Sequence, residues 1–235
     1  MLNISKNALL YTGIGLTVVV ALYSLRYLFV GADSVDALSE TDAFLKYLSG
    51  QEGTFWRDFA ASQKPLYHLN EFAVVGHISA ASVALLAGII QFIPLIRTEA
   101  PLLHRASGYL YAFTAILGLA LGAYISFALP MIGGTKTIIS NVIGGAIGIT
   151  FVLIAFVCIR NKQYLKHGQW MLRSYAILSA IVTVYLLIGV FSLLGLEAEL
   201  GYGLAHMVCF PINIFVAEII IRKSPSGFFA AAHPG

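Results

Sequence analysis

The sequence predicts an all-α fold, a polytopic membrane protein built as a bundle of six transmembrane helices, and three observations lead there. Hydrophobic residues make up 59% of the 235-residue chain against 11% charged residues, with a mean hydropathy of +0.85, values outside the range of water-soluble domains. Six apolar runs lie at about 8–30, 72–96, 107–130, 138–160, 171–195 and 203–222, each long enough to cross a hydrocarbon layer that demands roughly 20 residues of helix. None alternates like a barrel strand, and backbone groups in lipid must pair internally, so all six are expected as helices.

The run 8–30 follows Lys6 and precedes Gly31-Ala32, which resembles a secretory signal in layout. Its apolar core exceeds the roughly 7–15 residues of a cleaved signal, so an uncleaved anchoring span is expected. The connection 31–71 is long, polar and acidic, and carries short apolar-periodic pieces around Trp56 and Tyr67; one or two short helices lying in the membrane interface are expected there. Gly118 and Gly122 in the third run, and Gly144 and Gly148 in the fourth, give the small-xxx-small spacing that lets helices approach closely. Gln91 in the second run and Asn213 and Glu218 in the sixth are polar groups within spans, each needing a partner in hydrocarbon. Glu218 stands four residues before Arg222, a spacing at which the two can pair along one helix. Cys158 and Cys209 fall inside spans, so buried thiols and no disulfide are expected. No repeat or low-complexity stretch divides the chain, and residues 1–235 read as a single integral membrane domain.

With six spans, both termini share a side with the connections 97–106 and 160–170. That side collects Lys6, Arg97, Arg105, Arg160, Lys162, Lys166, Arg173, Arg222 and Lys223 against Glu99, whereas the other side collects Asp33, Asp36, Glu40, Asp42, Glu52, Asp58, Glu71, Glu197 and Glu199 against Arg26, Lys46, Arg57, Lys64 and Lys136. Retention of basic residues on the cytoplasmic side places both termini in the cytoplasm, with the protein multi-pass in a bacterial inner membrane. The net charge of +3 is thus two opposed faces, the basic one suited to anionic lipid headgroups. No nucleic-acid partner is expected.

Four of the six histidines sit at span ends. His77 and His206 begin the second and sixth spans on the external side, and His104 and His167 begin the third and fifth on the cytoplasmic side. Each pair comes from two parallel helices at similar depth. A transmembrane electron carrier with b-type haem needs such pairs, because two neutral imidazoles hold the iron axially. The positive end of a helix dipole favours the neutral ring. At 100° per residue, His77, Ala84, Gly88 and Gln91 share one stripe, and His104, Gly108, Tyr111, Ala115, Gly118 and Gly122 another, small residues beside which a flat macrocycle has room. Arg97, Arg105 and Arg173 are placed to pair with its carboxylates. Ordinary helix packing accounts for the same glycines, and interfacial placement for the same histidines. His68 and His233 lie in a loop and a tail and receive no role.

The stretches "GIIQFIPLIRTEAPLLHRASGYLY" (88–111), "HGQWMLRSYAI" (167–177) and "PINIFVAEIIIRK" (211–223) resemble a bacterial family of predicted integral membrane proteins, domain of unknown function 2306 (DUF2306), over roughly residues 70–223. The resemblance implies that Gln91, His104, Arg105, Gly108, Tyr111, His167, Trp170, Arg173, Asn213 and Glu218 are the family-type positions; it implies no reaction. A looser resemblance is to the cytochrome b561 class, which also pairs histidines on a small helical bundle, although there the ligands sit on four consecutive helices and here the fourth span is skipped.

The reading that follows is a membrane-embedded redox protein, a bis-histidine b-type haem or quinone-linked electron carrier with His104, His167, His77 and His206 as iron ligands and Gln91, Arg105, Tyr111 and Arg173 around the cofactor. The alternatives are a non-enzymatic subunit or assembly factor of a larger membrane complex, and a small proton-coupled transporter working through Gln91, Asn213 and Glu218. No phosphate-binding, nucleophile-elbow or dinucleotide-binding motif is present in the sequence, so nucleotide and acyl-transfer chemistry are not supported, and no catalytic residue is assigned.

Overall fold

The computed structural model describes residues 6–49 and 53–223. Glu52 and His233, and the Lys6 side chain, lie outside the described residues. The helices are α1 (Lys6–Ser24), α2 (Tyr27–Val30), a 3-10 helix (Gly31–Leu38), α3 (Ser39–Ser49), α4 (Phe55–Leu69), α5 (Glu71–Gln91), α6 (Pro94–Glu99), α7 (Pro101–Ala128), α8 (Thr135–Arg160), α9 (Tyr164–Leu178), α10 (Ala180–Leu193) and α11 (Ala198–Lys223). Among the described residues there is no strand. Five helical stretches are long and apolar enough to cross a membrane, and α9 with α10, bent by 42°, makes a sixth when taken as one broken span. The chain is an all-α polytopic membrane protein, and its exposed apolar side chains, such as Phe72, Leu102, Phe113 and Phe127, are what a lipid-facing surface requires.

All six expected runs are helical, with two refinements. The second run divides into α5 and the short α6, because Pro94 cannot continue α5 and instead opens a new helix at its first position. The third span starts earlier than expected, at Pro101, so His104 is already inside its first turn. The ends of the bundle at α6, at the α8–α9 turn and at the end of α11 carry Arg97, Arg105, Arg160, Lys162, Lys166, Arg222 and Lys223 and are called the basic side.

At the opposite end the connection 31–71 forms more than interfacial helices. The 3-10 helix, α3 and α4 fold into a cap, with α3 packed on α10. Trp56, 2% exposed, plugs a cluster with Ile132, Ala180, Val184, Ile188, Ala205 and Cys209. Glu71, in the first turn of α5, accepts the Ala32 N–H at 3.0 Å, and Asp42 accepts the N–H groups of Trp56 and Arg57 at 3.2 and 2.8 Å, closing the start of α4. Between α7 and α8, Gly133 has φ +77° and its Cα faces that of Gly203 on α11; an added Cβ would lie 2.5 Å from it, so only glycine allows this turn to rest on α11.

The second core, around Ala84, Leu85, Tyr111, Ala115, Val152, Ala155 and Met171, joins α5, α7, α8 and α9. A Cβ on Gly118 would stand 3.1 Å from the Ala81 backbone nitrogen, and one on Gly144 2.5 Å from the Phe210 ring; both glycine pairs are places where a neighbouring helix is seated.

Candidate functional site

In the half of the bundle nearer the basic side, polar side chains from α5, α7, α9 and α11 form hydrogen bonds across the helices. Gln91, the last residue of α5, donates from Nε2 to Ser107 Oγ at 2.6 Å and to the His104 carbonyl at 3.2 Å. Gly108 makes room for it, since a Cβ there would stand 3.1 Å from Gln91 Oε1. Tyr111, 1% exposed, meets Ser174 at 2.8 Å. Ser174 spends its own proton on the Met171 carbonyl at 2.8 Å, so the Tyr111 hydroxyl is the donor. Tyr175 donates to the Leu85 carbonyl at 3.2 Å, and its ring lies where a Cβ on Gly88 would be.

Arg173 and Glu218 form a two-pronged ion pair between α9 and α11, Nε to Oε1 at 2.6 Å and Nη2 to Oε2 at 3.2 Å, with the guanidinium 4.5 Å from the Trp170 ring centroid. This corrects two expectations. Glu218 makes its two-pronged pair across helices with Arg173 rather than along its own helix with Arg222, in the parallel geometry that makes such pairs strong. Arg173 is therefore engaged by a protein carboxylate rather than left for a cofactor's.

Asn213 braces the broken span. Its amide donates to the Ala176 carbonyl at 2.9 Å before the break, and its oxygen accepts from the Thr183 hydroxyl at 2.6 Å beyond it. A carbonyl freed at a helix break within lipid needs such a donor from a neighbouring helix.

The histidines divide by pair. His104 and His167 are each the fourth residue of their helix, within the turn where the dipole acts. Each also stands seven residues ahead of a partner in the Tyr111–Ser174 bond, which is about 10.5 Å along the axis and about 20° around it. Both α7 and α9 start from the basic side and meet at the Tyr111–Ser174 bond, while α7 packs chiefly on α5 and α8, and α9 on α8 and α11. His167 Nδ1 lies 2.9 Å from the Ala155 carbonyl. A carbonyl only accepts, so Nδ1 carries the proton and Nε2 is the lone-pair nitrogen of the neutral ring. Arg105 is exposed at the same rim.

His77 and His206 are not brought together. α5 packs chiefly on α7 and α1, whereas α11 packs on α10, α8 and α9. His77 donates from Nδ1 to the Gly118 carbonyl at 2.7 Å, and its ring fills the notch left by Gly122. His206 turns to the Tyr202 carbonyl at 3.0 Å and stacks on that ring with centroids 4.3 Å apart; its own carbonyl accepts from Ser140. They are the seventh and ninth residues of their helices, beyond the turn where a dipole acts. The two small-residue stripes likewise hold side chains and backbone: Tyr175 at Gly88, Gln91 at Gly108, Ala81 at Gly118 and His77 at Gly122.

Ser107, Ser174, Tyr175 and Thr183 belong to the network without having been singled out in the sequence. The shared spacing of seven, His104 to Tyr111 and His167 to Ser174, was the signal available for Ser174. Among the described residues no three His, Cys, Asp or Glu side chains converge as ligands for a metal ion.

A family model described as "Predicted membrane protein (DUF2306)" matches residues 74–221, from α5 through α11, the stretch that carries every residue of this network. The cytochrome b561 likeness is no part of that match. No curated protein and no solved structure gives a significant match.

Proposed function

We propose, from the premise that the chain belongs to the DUF2306 family of predicted membrane proteins, that it is a membrane redox protein with one bis-histidine site, formed by His104 and His167 at the basic side. The observation that supports this reading is the Tyr111–Ser174 hydrogen bond at 2.8 Å, which ties together the two helices that begin with these histidines. The donor chemistry suits a b-type haem: two imidazoles, each in the first turn of a helix that starts at the basic side, one of them held by the Ala155 carbonyl in the tautomer that leaves Nε2 as ligand. Such a group, when bound by two imidazoles, supplies one-electron transfer. The chain's own residues do the positioning. Gln91 and Ser107 fix the backbone at His104, Arg105 presents a cation at the rim, and the Arg173–Glu218 pair neutralises two charges beside the site. The dispersed His77 and His206 give no support to a second such site, so the reading is a single-site carrier exchanging electrons with a membrane partner of the quinone class.

The same reading puts the protein in a bacterial inner membrane, with the basic side in the cytoplasm. A reduced-minus-oxidised optical spectrum of the purified, haem-supplemented protein tests the site. The expected result is a b-type band lost in His104→Ala and in His167→Ala and kept in His77→Ala; no band, or one insensitive to both losses, overturns the proposal.

A second reading, a proton-coupled carrier, rests on the broken span. Discontinuous helices often line transport sites, and here the break adjoins Asn213 and, one turn away, the Arg173–Glu218 pair. Proton-dependent flux into liposomes that survives Glu218→Gln unchanged would eliminate it.

A further inference from the structure

At the cap side, a cavity of about 180 Å³ lies between the cap and the turn joining α10 to α11. Four of its lining residues are aromatic, Phe55, Trp56, Phe191 and Tyr202, and two are acids, Asp42 and Glu197; among the described residues no Lys, Arg or His lines it. Phe55 stands at 88° to Trp56, and Trp56 at 58° to Tyr202, with centroids 5.5 and 5.7 Å apart; outside the cavity Phe55 stacks on Phe59 and Tyr202 on His206, which covers one face of each. Trp56 is 2% exposed and lies behind the half-buried Phe55, Phe191 and Tyr202.

We infer that this cavity binds a small organic cation of the quaternary ammonium class. Aromatic faces are negative and attract a cation, most strongly when it is desolvated, and the two carboxylates give the cavity the same preference. An anion is disfavoured by those charges, and a purely apolar guest would desolvate them without compensation. A primary ammonium needs acceptors for three N–H groups, but both oxygens of Asp42 already accept backbone N–H groups from Trp56 and Arg57. A quaternary ammonium has no N–H to satisfy and takes only charge and ring faces, which is what this lining offers. The volume falls below the about 300–1,000 Å³ of sites for drug-sized ligands and suits a headgroup. Such a headgroup reaches the cap side either as a free choline-type solute or on a phosphatidylcholine lipid.

Saturation-transfer NMR on the choline methyl protons, with the full chain in phosphatidylglycerol nanodiscs, tests the site. The expected result is a saturable signal with a dissociation constant on the order of millimolar, weakened at least fivefold by Glu197→Gln and unchanged by His167→Ala, which separates it from the redox site. The neutral isostere 3,3-dimethyl-1-butanol gives no saturable signal. Equal response to that isostere, or no saturation by choline, overturns the proposal. Because Glu197 is exposed, its Gln variant is expected to unfold at the wild-type midpoint, which keeps the comparison interpretable. Repeating the titration with phosphatidylcholine in the disc identifies the source: a weakened choline response means that the lipid headgroup occupies the cavity, an unchanged one that the free solute does.

Discussion

The hydroxyl of Ser174 has one proton, which goes to the Met171 carbonyl, and so Tyr111 must be the donor that links α7 to α9. The Arg173–Glu218 pair next to it poses the opposite question, because here both partners are charged and only 18% and 31% of their side chains remain exposed. The attraction between two paired charges roughly offsets the desolvation of both, whereas a charge left alone has nothing to offset its own. Glu218→Gln or Arg173→Met alone should therefore destabilise the protein by about 2 kcal/mol, less than the roughly 3–5 kcal/mol of a fully buried pair. The double variant Arg173→Met/Glu218→Met should recover most of that loss. Unfolding titrations in mixed micelles measure the cycle, and strictly additive losses would mean that the pair contributes no coupling. The residue types of this network were legible in the sequence, because polar groups in apolar spans draw attention wherever they occur. Their partners were not: Arg173 and Glu218 are 45 residues apart, whereas the pattern visible in one helix was the local spacing of Glu218 and Arg222.

Broken and capped elements separate what sequence pattern reveals from what tertiary contact imposes. Six spans could be read because the bilayer fixes a minimum length, but the break at Ser179 could not. Neither glycine nor proline interrupts 171–188, and the donor that tolerates the break, Asn213, comes from α11. Asn213→Ala should cost about 1 kcal/mol by leaving the Ala176 carbonyl to the Ser179 hydroxyl, and the Thr183 hydroxyl without this acceptor, seen as faster amide exchange around residues 176–183. Unchanged exchange there would assign the break to backbone packing alone. The cap poses a different problem, since short amphipathic pieces look alike whether they float at an interface or dock. Docking rests on Trp56, and the cap itself is held by Lys64 of α4 bonding Asp36 at 2.7 Å and Asp33 at 3.1 Å on the 3-10 helix. Hydrogen bonds first to Asp36 and then to Asp33 raise the Lys64 ammonium above its ordinary range. A raised base stabilises fully below its unfolded value, about 10.4, and that contribution is lost as pH rises through the higher folded value. Trp56 emission in a Trp170→Phe background should therefore be flat from neutrality to about pH 10 and change above it. Lys64→Met should remove the alkaline step; a step persisting in that variant would assign it to another group.

For the whole molecule, which turn lies on which side depends on the parity of the crossings. If α9 and α10 together cross once, the chain crosses six times, and the basic side holds the α8–α9 turn while the cap side holds the α10–α11 turn. If instead α9 and α10 form a re-entrant hairpin, both turns fall on the same side and the Lys223 end moves across. The network favours the through-span, because the Tyr111–Ser174 and Asn213–Thr183 bonds tie successive halves of the broken span to α7 and α11, at increasing distance from the basic side. Charge orders the two sides: the basic side keeps Arg160, Lys162 and Lys166 at one turn alone, and the cap side presents Glu197 and Glu199 at the other. Cysteines introduced as Lys162→Cys and Glu197→Cys report this directly, since the native Cys158 and Cys209 are buried and should react slowly. In intact cells a membrane-impermeant maleimide should label Glu197→Cys and spare Lys162→Cys, and both should be labelled once the membrane is opened. Sparing of both in intact cells, with both labelled after opening, would establish the hairpin, which moves the α10–α11 turn and the Lys223 end across the membrane and leaves His104 and His167 on one side.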